Sequence, residues 1–142
     1  MVGILFIFIC GGFSIFFNFN EFLWNLTPTF LGILTTIVYL LSWIFVGSFM
    51  GWKGRKLFNL VITFYWGMGI LAYMIGSNFP RSILYPTYAF MVLLCFGPLY
   101  GLAYHLSIRN YLVLTISLAF IPWMLGLLSY FIGKYLREYQ NR

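Results

Sequence analysis

Long apolar runs broken by short polar joints dominate the chain, falling near Val2 to Phe17, Phe30 to Met50, Leu57 to Ile75, Ile83 to Tyr104 and Tyr111 to Ile132. A hydrocarbon core about 30 Å thick takes about 20 apolar residues in helical form. The pattern therefore predicts an all-α, polytopic integral membrane bundle of five transmembrane helices, a single domain over residues 1–142 with a basic tail at 133–142. The first run is the shortest, holds Gly11 and Gly12 and leads into Asn18, Asn20 and Glu21, so its full crossing is the least secured.

The joints carry turn chemistry. Asn18 to Pro28 reads as the first loop, with Pro28 near the next helix start, where its missing N–H costs least. Gly51 to Lys56 is a tight basic turn with an interfacial Trp52. Gly76 to Arg81 contains Gly-Ser-Asn-Phe-Pro, a strong turn signal, and His105 to Asn110 forms the fourth connection.

Close packing inside a bilayer relies on small residues and hydroxyls, because lipid offers no hydrophobic drive between helices. The last run supplies a stripe on one face: Thr115, Ala119, Pro122, Gly126, Ser129 and Gly133. Gly97 and Gly101 in the fourth run, Gly47 and Gly51 in the second, and Gly69, Ala72 and Gly76 in the third offer matching surfaces. Packing within the chain is the expected use of the stripe, with a homodimer seam or a docking face for another membrane protein as alternatives. Pro98 and Pro122 each deprive a carbonyl, that of Leu94 and that of Leu118, of its helical donor, so both helices should bend.

Composition agrees with the pattern: hydrophobic residues make up 63% and charged residues 7%, against roughly a quarter charged in a soluble domain. The net charge of +6 comes from basic residues scattered at helix ends, which suits anchoring at lipid headgroups and not nucleic-acid binding. The expected partners are the bilayer and a second copy or another membrane protein. A plasma-membrane location is expected. If all five runs cross straight through, Lys53, Arg55, Lys56 and Arg109 face Arg81, Lys134, Arg137 and Arg142 across the bilayer, a tie that leaves orientation undecided. The compact Lys53–Lys56 cluster then leans the amino terminus to the cytoplasm and the tail outside.

Candidate chemistry is sparse. Glu21 and Glu138 are the only acids and there is no aspartate, which excludes two-carboxylate hydrolysis and leaves no carboxylate cage for Mg²⁺. One histidine and two distant cysteines do not make a zinc site. Ser77 and His105 should lie at opposite membrane faces, and Cys95 is ten residues from His105, about 15 Å along one helix. No catalytic residue, metal or cofactor is expected, and the chain reads as a non-enzyme.

Uncharged groups remain. Trp24, Trp52, Tyr104 and Tyr111 suit the interfacial aromatic belts. Trp66 and Trp123 fall at mid-depth instead, near Tyr65, Thr63, Cys95 and the Pro122 bend, where an indole N–H needs an acceptor such as a carbonyl freed by a proline. Asn59, Thr63, Trp66, Tyr73 and Ser77 fall roughly on one face of the third helix, and Gly32, Thr35, Tyr39 and Ser42 on one face of the second. A mid-membrane aromatic pocket lined by Trp66, Trp123, Tyr65, Thr63 and Cys95 is the expected site, binding or transporting a small apolar or neutral ligand. A five-helix bundle rich in aromatics, with Trp24-Asn-Leu-Thr-Pro28 before its second helix, resembles the translocator protein family, which binds tetrapyrroles and other apolar ligands. That family's Pro-Pro pair is absent here and its later motifs do not align, so the resemblance transfers no residue.

Overall fold

A computed structural model of the chain describes residues 2–79, 83, 85–106 and 111–141. It is all-helical: α1 (Val2–Trp24), α2 (Phe30–Trp52), α3 (Leu57–Asn78), α4 (Tyr85–Phe96), a single 3₁₀ turn (Gly97–Leu99), α5 (Tyr100–Leu106) and α6 (Tyr111–Gln140). Five stretches are long and apolar enough to cross a membrane: Gly3–Trp24, Phe30–Trp52, Leu57–Asn78, Tyr85–Leu106 and Leu112–Gln140. Large apolar side chains such as Phe16, Phe30, Phe45 and Leu60 stay exposed on the outer faces, as expected where lipid is the solvent.

The helix ends are capped by local chemistry. Asn25 adopts a left-handed backbone, φ 50°, and the Leu26 N–H donates to the Glu21 carbonyl at 3.0 Å, the pattern that closes a helix C-terminus. The same device ends α2: Gly54, φ 67°, lets the Arg55 N–H reach the Met50 carbonyl at 2.9 Å. Thr29 caps α2 by accepting from the Gly32 N–H at 3.2 Å. The first run is thus a helix to Trp24, and Asn18 lies inside it, not in a loop. Its side chain is fully buried: the groups its Nδ2 faces accept hydrogen bonds, while its Oδ1 has no partner among the described residues.

Contacts along the helices define two ends. Gly3 lies against Val46 and Met50, and Gly11 against Tyr39, while Asn18 reaches Gly32. Hence α1 and α2 are antiparallel, with the start of α1 and the end of α2 at one end, termed proximal. Phe58 stacks on Tyr130, Gly126 meets Ile62 and Trp123 meets Thr63, so α3 and α6 are antiparallel too. Against α2, by contrast, α6 is parallel: Gly126 sits by Trp43 and Gly47, Gly133 by Ser48, and Arg137 by Gly54. A Cβ built on Gly51 or Gly133 would land on the carbonyl of Tyr130 or Ser48, so glycine is what lets these two backbones touch.

A parallel α2 and α6 require the intervening chain to return to the end it left. It does so between α4 and α5. Descending antiparallel to α3, α4 places Tyr88 against Gly76 and Cys95 and Phe96 against Gly69, halfway along α3. At Pro98 the helix breaks. The carbonyl of Pro98 is reached by Ser14 Oγ and Thr36 Oγ1, whereas three residues later Gly101 lies on Ile33, and the Tyr100 hydroxyl donates to Leu26 beyond the end of α1. Both moves lead back to the distal end. The Tyr85–Leu106 stretch, long and apolar enough to span, is therefore folded back at Pro98 toward the distal end, a sharper turn than the bend the proline predicts.

This reversal changes the charge distribution. Lys53, Arg55, Lys56, Lys134 and Arg137 all lie at the proximal end, so the expected four-against-four balance does not hold among the described residues, and the tail lies at the amino-terminal end of the bundle. Arg81, Arg109 and Arg142 lie outside the described residues. Ser77 and His105 share the distal end instead of facing each other across the bilayer, and the helix between Cys95 and His105 is broken.

Candidate functional site

Four local environments surround the expected pocket residues. Trp66 is 2% exposed, packed on Trp43 with ring centroids 5.7 Å apart, on Tyr65 at 5.1 Å and on Phe96 at 6.2 Å. Among the described residues its indole N–H has no hydrogen-bond partner, and neither do the Trp43 N–H and the Tyr39 hydroxyl. These three polar groups occupy one aromatic cluster where neighbouring rings, weak acceptors at best, surround them.

Trp123 donates its N–H to Thr63 Oγ1 at 3.0 Å. With Trp66, Gly67, Ile70 and Ala119 these two residues line a groove of about 200 Å³ between α3 and α6. So Trp66, Trp123 and Thr63 do come together, as the sequence suggests. Tyr65 and Cys95 do not join them. One residue further round α3, Tyr65 turns toward α4 and donates its hydroxyl to the Leu94 carbonyl at 2.9 Å. Leu94 is the residue whose helical donor Pro98 removes, so a freed carbonyl does find a side-chain donor, but a phenol rather than an indole. Cys95 Sγ lies 3.9 Å from the Tyr65 carbonyl in the same contact.

The third environment is the polar node that holds the reversal, which sequence reasoning missed. Asn18 Nδ2 donates to the carbonyls of Ser14 at 2.9 Å and Gly32 at 3.2 Å, and lies 3.3 Å from Ser14 Oγ and Thr36 Oγ1. Ser14 Oγ and Thr36 Oγ1 donate to the Pro98 carbonyl at 2.8 and 2.9 Å. A break in the α-helical hydrogen bonding at this depth persists only when protein groups satisfy the freed carbonyls, and α1 and α2 help to do so here. The available signal was the i,i+4 pairing of Ser14 with Asn18 and of Gly32 with Thr36.

The fourth is a cleft of about 620 Å³ near the distal end. Its walls are Phe19, Phe22 and Leu23 of α1, Tyr73, Gly76 and Ser77 of α3, and Tyr85, Tyr88 and Val92 of α4. It exists because α1 is drawn toward the reversal by Ser14, while α4 leans the other way onto Gly69 and Gly76. The Tyr73 and Tyr88 hydroxyls make no hydrogen bond among the described residues, whereas Ser77 donates to its own helix at Met74. A space of this size, apolar with a few hydroxyls, falls in the range that takes small organic ligands. The polar faces proposed for α2 and α3 are thus divided: Tyr73 and Ser77 face this cleft, Thr63 and Trp66 the groove, and Thr35 returns its hydroxyl to the Leu31 carbonyl of its own helix.

Compared with protein-family models, curated proteins and solved structures, the chain matches none. The resemblance to translocator proteins gains no support from these comparisons. The small-residue stripe of α6 is accounted for within the chain: Ala119 and Ser129 are buried, Gly126 faces Ile62 and Trp43, and Gly133 faces Ser48. Gly101 is likewise occupied, since a Cβ there would lie 2.9 Å from Thr36 Oγ1.

Proposed function

We propose that this is a non-enzymatic multi-pass protein of the cell membrane that holds a small apolar or amphiphilic molecule in the cleft between α1, α3 and α4. The observation that carries this reading is the cleft itself, about 620 Å³ of mainly apolar space with Tyr73 and Tyr88 among its walls. Its lining belongs to the distal half of the bundle, which supports holding a ligand more than passing one across. The positive-inside tendency, applied to the basic proximal end, puts both the amino terminus and the tail in the cytoplasm and opens the cleft toward the outer leaflet. An assembly subunit docking through the α6 stripe has less support, because α2 and α3 occupy that stripe.

A photoactivatable fatty acid provides the test. Crosslinks on the purified protein in nanodiscs should concentrate on residues 19–23, 73–77 and 85–93. Ala89→Trp, which fills the cleft, should lower their yield several-fold. Labelling spread evenly over lipid-facing residues such as Phe30, Phe45 and Leu60, and indifferent to Ala89→Trp, would overturn the reading.

A further inference from the structure

The tail and the α2–α3 turn meet at the proximal end. Arg137 lies over Gly54, and the Lys134 backbone lies against Gly51. Lys53 is drawn over the Phe49 ring, its Nζ 5.8 Å from the centroid. Glu138, the only acid of this end, pairs with Lys134 at 3.8 Å, which leaves Lys53, Arg55, Lys56 and Arg137 without a carboxylate among the described residues. Directly beneath Lys53, α2 and α6 leave a groove of about 360 Å³ walled by Phe45, Phe49, Trp52 and Leu136, with Ser48 and Gly133 at its floor. Glycine at 133 is what deepens it, since the two backbones touch there.

We infer that this groove binds an anionic phospholipid, with one acyl chain along Phe45 and Phe49 and the phosphate at Lys53 within the field of Arg55 and Arg137. The groove runs from Phe45 to Trp52, about 10 Å at the helical rise, enough for the upper half of a lipid chain. A zwitterionic lipid would fill the same apolar walls, so the apolar surface alone selects nothing. Charge complementarity makes the selection: an excess of fixed cations sits where a headgroup phosphate would lie, and basic pockets between transmembrane helices are suited to anionic headgroups. Tryptophan at the rim adds an indole of the kind that settles at headgroup depth.

Native mass spectrometry of the full chain, in micelles doped with dioleoyl-phosphatidylglycerol or dioleoyl-phosphatidylcholine, tests this with identical acyl chains and different charge. Retention of the glycerol lipid should exceed that of the choline lipid. Lys53→Gln, on an exposed residue, should weaken the glycerol lipid roughly five-fold, the effect of one cation near the surface, and leave the choline lipid unchanged. Leu136→Trp keeps every charge but blocks the groove, and should weaken the glycerol lipid at least as much. Equal retention of the two lipids, or equal loss of both in Lys53→Gln, would overturn the site. Full retention in a folded Leu136→Trp would do so as well, since the attraction would then be a diffuse property of the basic end. Should Leu136→Trp fail to purify, the Lys53→Gln comparison decides alone.

Discussion

Pro98 and Pro122 look alike in the sequence, each inside an apolar run and each depriving a leucine carbonyl four residues earlier of its donor, yet the chain reverses at one and continues at the other. At Pro98 the helix gives way to a 3₁₀ turn and heads back, whereas α6 carries Pro122 within 30 unbroken helical residues. Both prolines are fully buried, so burial does not separate them. Their neighbours do. Around Pro98, α1, α2 and α3 present Ser14, Thr36 and Tyr65, which donate to the carbonyls of Pro98 and Leu94. Around Pro122 the seam with α2 runs in register from Trp43 to Gly54, and such a seam requires a continuous helix. A proline in a membrane helix loosens the backbone; what surrounding side chains can donate decides whether the chain turns back.

The largest effect expected from this contrast is all-or-none. If the chain reverses at Pro98, Arg55 and the tail face the same side of the membrane, and Leu26, beyond the distal end of α1, faces the other. Single cysteines at Arg55, Glu138 and Leu26 can be read with a membrane-impermeant maleimide on intact cells and on inverted vesicles. Arg55→Cys and Glu138→Cys should label from one side and Leu26→Cys from the opposite one. Labelling of Arg55→Cys and Glu138→Cys from opposite sides would mean that the Tyr85–Leu106 stretch crosses straight through. Because the positive-inside tendency favours the basic end inward, the shared side is expected to be the cytoplasm.

The apolar runs were legible because a bilayer imposes a length, and the five stretches follow from that length and from composition. The small-residue stripe was legible as well, since Thr115, Ala119, Gly126 and Ser129 recur at the helical period and only backbone contact rewards such a run. The fate of Pro98 was not. Gly97-Pro98 marks a weak point, but whether it yields a kink or a reversal depends on Ser14, Thr36 and Tyr65, which lie on three other helices. The apparent balance of charge follows only if the fourth run crosses the membrane in full. Asn18 reads as loop because a polar residue after an apolar run signals an end unless its partners are known. The groove was half legible: Thr63 and Trp66 lie near one another on α3, whereas Tyr65 is about 100° round the helix from Trp66 and serves α4. The distal cleft left no mark in the sequence, because it is a space between helices that lean apart.

Second in size is the loss of the node that makes the reversal tolerable. Asn18→Ala removes the amide that ties α1 to Gly32 on α2 and leaves a cavity beside buried carbonyls. Membrane hydrogen bonds are individually modest, the Gly32 carbonyl keeps the Thr35 and Thr36 hydroxyls, and the Asn18 Oδ1 has no partner to lose among the described residues. The cavity thus adds to one lost donor, and about 1–2 kcal/mol of stability should go. Thermal unfolding in mild detergent measures it. Tyr65→Phe is the milder version: the ring stays and only the donor to Leu94 goes, for a loss of about 1 kcal/mol. A wild-type melting curve for both variants would show that the reversal does not depend on these donors.

The smallest effect should come from Pro122→Ala, and its smallness is the other half of the comparison. Alanine restores an N–H that can reach the Leu118 carbonyl, a gain of about 1 kcal/mol. It also removes two ring carbons from a fully buried position, and at about 0.8 kcal/mol per buried methylene this offsets the gain. The net change should fall within about 1 kcal/mol in either direction, because α6 stays helical through Pro122 and the glycine contacts that hold it on α2 lie beyond it, from Gly126 onward. Maleimide labelling of Glu138→Cys in this background should keep its sidedness. A loss of several kcal/mol, or a tail that changes sides, would mean that Pro122 shapes α6 as Pro98 shapes the α4–α5 pair, and the difference between the two prolines would then have to be sought in something other than the donors around them.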